Sequence, residues 1–453
     1  MHLRLILPAL ALLMNPLLVR AAEWRLAVFE TDVTPPVGHA CMGGGIAPVK
    51  TVTDPLHARG CVLLGPEKPV VIVSIEWCEI RNSSYDQWRG ALAKAAGTEP
   101  ARVMLSATHA HNAPVMDAEA EAFLKKAGST GSVCDPAFGD QAVQKTVQAL
   151  TTALANARPV SHCGIGQARV REVGSNRRVI LPDGRVSYSR MSRCTDPVLC
   201  AADEGDIDPW LKTLSFWSGE TCLFALHAYA VHPMSYYGQG DVTPDFPGLA
   251  LKAMRESSPG PLHVYASGCP GNVTAGKYND GSHEARLRLA SRLHDAMQES
   301  MKTTRRHPLE EARFSRSELH LEPRNTPGFT QKGLEQILAI ASERPFSHCL
   351  AAMGLSWRAR VARGTPIDVV ALHLGSASVL LLPAESYVEY QLLAQKLAGA
   401  VPVLVMGYGE SAPGYIPIER AWQERDTNLH DWCWVAPGSE ARMKAAIEAV
   451  MAR

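Results

Sequence analysis

Thr108-His109-Ala110-His111-Asn112-Ala113-Pro114 sets two imidazoles two residues apart, directly after the apolar run Arg102–Ser106. That run, bounded by polar residues, predicts a buried strand. A His-x-His pair at a strand end can aim one ring at a metal and keep the other nearby as an acid or base. The plainer reading is two loop histidines bonded to backbone. His232-Pro233 ends a second apolar run, Thr221–Val231. His227 lies on that same run, but odd spacing puts it on the opposite face, so it reads as a core histidine. A third run, Leu380-Leu381-Leu382, leads through Pro383-Ala384 to Glu385. Glu385 also suits the first turn of a helix, where the dipole favours a carboxylate. Two histidines and a glutamate, all at strand ends, form a set that holds catalytic zinc and leaves a position for water. Such a metal brings the pKa of its water to near 7 and polarises a carbonyl.

Three other stretches carry candidate chemistry. Ser267-Gly268-Cys269-Pro270-Gly271-Asn272-Val273-Thr274 follows a short apolar run, and its small residues let backbone amides approach a ligand. Cys269 as a nucleophile is disfavoured, because Pro270 removes an amide such sites use. Asn272-Val273-Thr274 also forms a glycosylation sequon. Asp245 offers either support to a pocket or a helix cap. The loop Gly407 to Pro417 follows the run Val401–Val405 and reads as turn chemistry.

The elements that must position these residues alternate. Strands are expected at Cys61–Leu64, Val70–Ile75, Gly164–Val170, Leu211–Trp217, His263–Ala266, Ser317–Leu321, Ile367–Leu374 and Val379–Leu382. Helices are expected at Ser84–Ala96, Phe138–Ala157, Gly248–Glu256, His283–Thr303, Thr330–Ser342, Tyr387–Leu397 and Ser439–Met451. This pattern predicts an α/β fold of mixed sheets covered by helices, in one large domain. No internal repeat is visible.

Met1 to Ala21 reads as a secretory signal peptide: a basic start, an apolar stretch from Leu5 to Val19, then small residues. Residues 22–453 form the expected domain, secreted or periplasmic. Lysine plus arginine equal aspartate plus glutamate at 45 each, with no basic cluster, which excludes a phosphate-tracking nucleic-acid surface. Eleven cysteines include no Cys-x-x-Cys pair, so a cysteine zinc site is not expected. Cys194 and Cys200 are the local pair best spaced for a disulfide.

Taken in order, these segments resemble the neutral/alkaline non-lysosomal ceramidase family. Thr108 to Pro114 is similar to its Thr-His-Thr-His-Ser-Gly-Pro, and Asn176-Arg177-Arg178 to its Asn-Arg-Ser. His232-Pro233 with Asp245-Phe246-Pro247-Gly248 matches its histidine segment and following Asp-Asn-Lys-Gly. Gly271 to Gly276 resembles Gly-Asp-Val-Ser-Pro-Asn, and Leu382 to Glu385 resembles Leu-Pro-Gly-Glu. Gly407 to Tyr415 runs without gaps on Gly-Leu-Ala-Asn-x-Tyr-x-x-Tyr. The likeness extends from Thr31 to about Gln423 and leaves out the family's C-terminal β-sandwich. Thr274 stands where the family has serine, and Asn272 where it has aspartate.

The resemblance implies a zinc ion held by His109, His232, Glu385 and Tyr415; Tyr415 enters through the resemblance alone. It implies His111 acting on the metal-activated water or the substrate carbonyl, Arg177 orienting the site, and Thr274 hydrogen-bonding substrate. The expected activity is hydrolysis of an N-acyl amide, a ceramide-like lipid among the candidates, which brings peripheral membrane contact with it. The alternatives are a hydrolase of another amide or ester, and a metal-stabilised binding protein without turnover.

Overall fold

The computed structural model describes residues 24–129, 131–340 and 344–452. The signal-peptide segment and the end of the helix expected at Ser342 lie outside them.

Three sheets dominate, and they share one strand order. In the first, Val103–Ala107 pairs with Val70–Ile75, then His57–Leu64, Trp24–Asp32 and Arg158–Val160. In the second the order is Leu262–Ser267, Thr221–Tyr229, Trp210–Ser218, His162–Arg169 and Arg305–Pro308. In the third it is Val403–Met406, Ser378–Leu381, Ile367–His373 and Arg313–Leu319. The first pair of each order is parallel and the remaining pairs are antiparallel.

Parallel neighbours need a crossover. Each pair has a helix for it: Asn82–Ala96, Asp245–Ser257 and Val388–Ala398. A second helix follows each parallel pair, at Pro136–Ala155, His283–Lys302 and Ser439–Met451. The chain is therefore one structural unit written three times. The sequence shows no repeat of residues; what recurs is the topology. The repeat lies in hydrophobic period and element order, while the side chains differ between copies.

Alternation along the strands explains how the units pack. Leu26, Leu63, Ile72 and Met104 of the first sheet point to one face and meet Leu214, Phe224, Leu226 and Val264 of the second. Val370, Leu372, Leu381, Leu404 and Met406 of the third join the same core. The opposite face of the first sheet, with Phe29, Val62, Val71, Val73 and Leu105, packs with Trp88, Leu92 and Leu150 of the covering helices. Each such buried side chain is worth roughly 1.5–3 kcal/mol of transfer energy.

Most expected elements are present within a few residues. Helix Pro345–Ala362 was missed; apolar and small residues are buried around most of its surface, so it shows little amphipathic period. Cys194 and Cys200 are free thiols, as are the other nine cysteines, and Cys200 Sγ points instead to the Cys194 carbonyl at 3.4 Å. Among the described residues no helix is long and apolar enough to cross a membrane.

Candidate metal centre

The threefold design brings the ends of all three parallel pairs to one place. His109 leaves the first sheet two residues after Ala107, His232 leaves the second three residues after Tyr229, and Glu385 leaves the third four residues after Leu381. The turns are tight enough to force left-handed backbone at His109 (φ 66°) and at Ala384 (φ 50°), just before Glu385. Such residues cost roughly 1–3 kcal/mol each and persist where the surrounding structure over-determines them.

His109, His232 and Glu385 are all buried. His232 Nε2 is 2.8 Å from Glu385 Oε2, and His109 Nε2 is 3.5 Å from the same oxygen. The tautomers follow from the other ring nitrogens. His109 Nδ1 faces the Cys78 carbonyl at 3.1 Å, and His232 Nδ1 faces the Pro270 carbonyl at 2.6 Å. A carbonyl only accepts, so both Nδ1 atoms carry the hydrogen and both Nε2 atoms present lone pairs. Two lone pairs and a carboxylate oxygen thus converge. A proton answers only part of that demand; a cation answers all of it. The donor set, two imidazoles and a carboxylate, fits a metal ion.

Electrostatics agree. Burial holds His109, His111 and His232 well below the usual histidine range, with neighbouring imidazoles or Arg177 adding to the effect. Burial also pushes Glu385 up to about 8, against the opposing pull of Arg177.

Tyr415 is the direct ladder partner of Glu385 across a parallel bridge, so the phenol and the carboxylate share one edge. Arg177 Nη1 donates to Tyr415 Oη at 2.7 Å and stacks over its ring at 5.3 Å. Arg177 Nη2 lies 3.3 Å from His232 Nε2. Arg177 is itself aimed by the short ladder Ser175–Asn176 with Val273–Thr274 and by its own amide to the Asn272 carbonyl at 2.8 Å. His111 is half-buried, stands edge-on to His109 with centroids 5.0 Å apart, and among the described residues neither ring nitrogen has a hydrogen-bond partner. The ligating atoms of His109, His111 and His232 lie within 4.8 Å of one another, as do those of Glu79, His109 and Glu385.

Thr274 is placed differently. Its hydroxyl donates to the Met191 carbonyl at 2.9 Å and accepts the Gly276 amide at 3.1 Å. It is fully buried and is not among the residues lining the cavity. Asn272 joins the start of the helix Val388–Ala398, accepting the Val388 amide and donating to Glu389, each at 2.9 Å. Asp245 accepts the Ser235 amide at 2.9 Å and its own helix's Phe246 amide at 2.6 Å. Cys269 is buried in the core, and burial pushes its thiol up, which leaves it a poor nucleophile.

Glu79 escaped the sequence reading. It lies four residues past the strand Val70–Ile75, fully buried, 3.9 Å from His109 Nδ1. Arg81 at 2.7 Å and Trp432 Nε1 at 3.1 Å hold it in place. The signal was available: another carboxylate after another buried strand.

Above the centre opens a cavity of about 570 Å³. His109, His111, Glu385 and Tyr415 line it, and Met42, Tyr188, Met191, Phe346 and Trp432 supply apolar wall. The wall comes from all three units, since Met42, Met191 and Phe346 sit in the insertions between each unit's first two main strands.

No protein-family model matches the chain, and no curated protein matches its sequence. Solved structures do match its fold. The neutral ceramidase from Pseudomonas aeruginosa aligns with a TM-score of 0.64 at 17% identity, covering 95% of this chain and 74% of that chain. A ceramidase complexed with C2 aligns with a TM-score of 0.66 at 17% identity, covering 95% and 75%. From the first sheet to the last helix, this chain has the fold of the neutral ceramidases.

Proposed function

We propose that this protein is a zinc-dependent amidohydrolase that cleaves the amide bond of an N-acyl, ceramide-like lipid. One observation carries the reading. Two imidazole lone pairs and the Glu385 carboxylate converge on a point at the floor of an apolar-walled cavity. The ceramidase fold supports the same substrate class.

His109, His232, Glu385 and Tyr415 would hold the metal. A bound zinc ion would polarise the amide carbonyl and acidify a water near neutral pH. His111 supplies the proton transfers: its nitrogens are unpartnered and its neutral form prevails at pH 7, so it takes a proton from water and returns it to the leaving amine. Arg177 fixes Tyr415 and balances the charge of Glu385. Met42, Met191, Phe346 and Trp432 receive the acyl chain, excluding water from the reacting bond. Thr274 serves through the Met191 carbonyl and the ladder that aims Arg177. Residues 1–21 act in this reading as an export signal and 22–453 as the catalytic domain.

The test is turnover of a fluorogenic N-acyl amide by purified protein, before and after chelation and after zinc is restored. Activity that disappears and returns with one zinc per chain supports the proposal. Full zinc occupancy without hydrolysis of any acyl amide in a panel would sink it.

A further inference from the structure

Tyr408 follows the strand Val403–Met406 by two residues and is fully buried, yet among the described residues its phenol oxygen has no hydrogen-bond partner. Its ring lies flat on His109, with centroids 4.2 Å apart and planes inclined by 12°. It meets His232 edge-on, at 6.2 Å and 88°. Its backbone is left-handed, with φ 52°. From that position its carbonyl accepts the Ala107 amide at 3.0 Å and its amide donates to the Ala384 carbonyl at 3.3 Å. Tyr408 thus ties the turn that delivers His109 to the turn that delivers Glu385.

A buried hydroxyl with no partner and a side chain in left-handed backbone both cost stability. Packing alone would be served better by a residue without the hydroxyl. The Tyr408 ring touches both His109 and His232, so its hydroxyl is carried by a side chain packed on two of the residues that form the centre. Carboxylates that ligate metals are themselves hydrogen-bonded, and imidazole ligands need a fixed ring plane.

We propose that Tyr408 is a positioning residue of the metal centre: its ring fixes the plane of the His109 imidazole, and its hydroxyl is a donor held for the ligand shell once a cation is bound. The inference rests on the metal-centre reading of the same site. It adds a residue to that centre which neither the histidine spacing nor the ligand set supplies.

Two variants separate the parts. Tyr408→Phe keeps the stacked ring and removes the hydroxyl; Tyr408→Leu removes both. Zinc affinity is measured by competition with a chromophoric chelator, alongside the Tm of the metal-free proteins and the visible spectrum of the cobalt-loaded ones. Tyr408→Phe is expected to weaken zinc binding roughly 10–100-fold, with a metal-free Tm equal to or above that of the parent. Tyr408→Leu is expected to bind more weakly still and to shift the cobalt spectrum as the His109 ring turns. Unchanged zinc affinity in the Phe variant removes the hydroxyl from the centre, and an unchanged cobalt spectrum in the Leu variant removes the ring. If the parent binds no zinc, the metal-centre reading fails and this inference falls with it. If the parent binds tightly and both variants match it, only the role of Tyr408 falls.

Discussion

Two buried histidine pairs sit in this molecule, and they behave in opposite ways. His227 and His263 lie side by side in the second sheet, rings stacked with centroids 5.2 Å apart. His109 and His232 meet with centroids 5.0 Å apart where the sheets end. Burial lowers the pKa of all four. What differs is the partner list. Thr213 Oγ1 meets His227 Nδ1 at 2.8 Å, His227 Nε2 meets His263 Nδ1 at 3.0 Å, and His263 Nε2 meets the Ser258 carbonyl at 3.2 Å. That chain closes on itself, each donor with an acceptor. In the other pair both Nε2 atoms present lone pairs to one carboxylate oxygen, with Arg177 Nη2 3.3 Å from His232 Nε2 beside them. Burial and a low pKa therefore do not mark a site by themselves; a convergence of lone pairs on one point does.

Removing a member of each pair should give the widest contrast. His109→Ala should lose stoichiometric zinc, read by atomic absorption, and about 10³-fold or more in rate, because the Lewis acid goes with it. His227→Ala should keep both zinc and rate. Loss of zinc from the His227 variant would break the distinction.

Next in size is His111→Ala, expected to retain zinc and lose roughly 100-fold in kcat through lost proton transfer. A rate within a few-fold of the parent would reduce His111 to a wall residue of the cavity.

Stability effects come third. His227→Ala strands Thr213 and His263, and Thr274→Val strands the Met191 carbonyl and the Gly276 amide; each should cost about 1–3 kcal/mol in denaturant unfolding. Thr274→Ser, which keeps the hydroxyl, should recover most of the loss. A large fall in kcat for Thr274→Val with unchanged stability would instead put the hydroxyl at the substrate.

The smallest effect is the pH dependence of the closed pair. The folded pKa of His227 lies below 6.5, the value taken for an unperturbed histidine, through burial first and then through His263. Its neutral form is therefore favoured in the folded state. The stability this contributes is complete above about pH 6.5 and is lost as pH falls below it, at up to roughly 1.4 kcal/mol per pH unit. The penalty of His227→Ala should accordingly shrink as unfolding is measured from pH 7 down to pH 5. A constant penalty would mean that His227 binds the same number of protons in both states across that range.

Much of this was legible in the chain itself. Apolar runs with polar punctuation mark strands, so the strand ends bearing His109, His232 and Glu385 were visible locally, as was the odd spacing that assigned His227 to the core. Helix Ser439–Met451 matched its expected ends, because its amphipathic face repeats within a single segment. The mixed α/β class followed from the alternation of such runs.

Other features depended on which segments meet. Three copies of one unit kept the same strand order with different side chains, and no comparison of letters exposes that. Glu79 and Tyr408 acquire meaning from His109, which is 30 residues after the one and 299 before the other. Thr274 reads in the sequence as a site hydroxyl, and only the fold shows that this hydroxyl donates to the Met191 carbonyl. The sequence determined which residues could stand at strand ends, because hydrophobic period and turn chemistry act over a few neighbours. Tertiary structure decided which of them face one another, because the packing of three sheets on a common core sets which lone pairs share a point in space and which find a partner first.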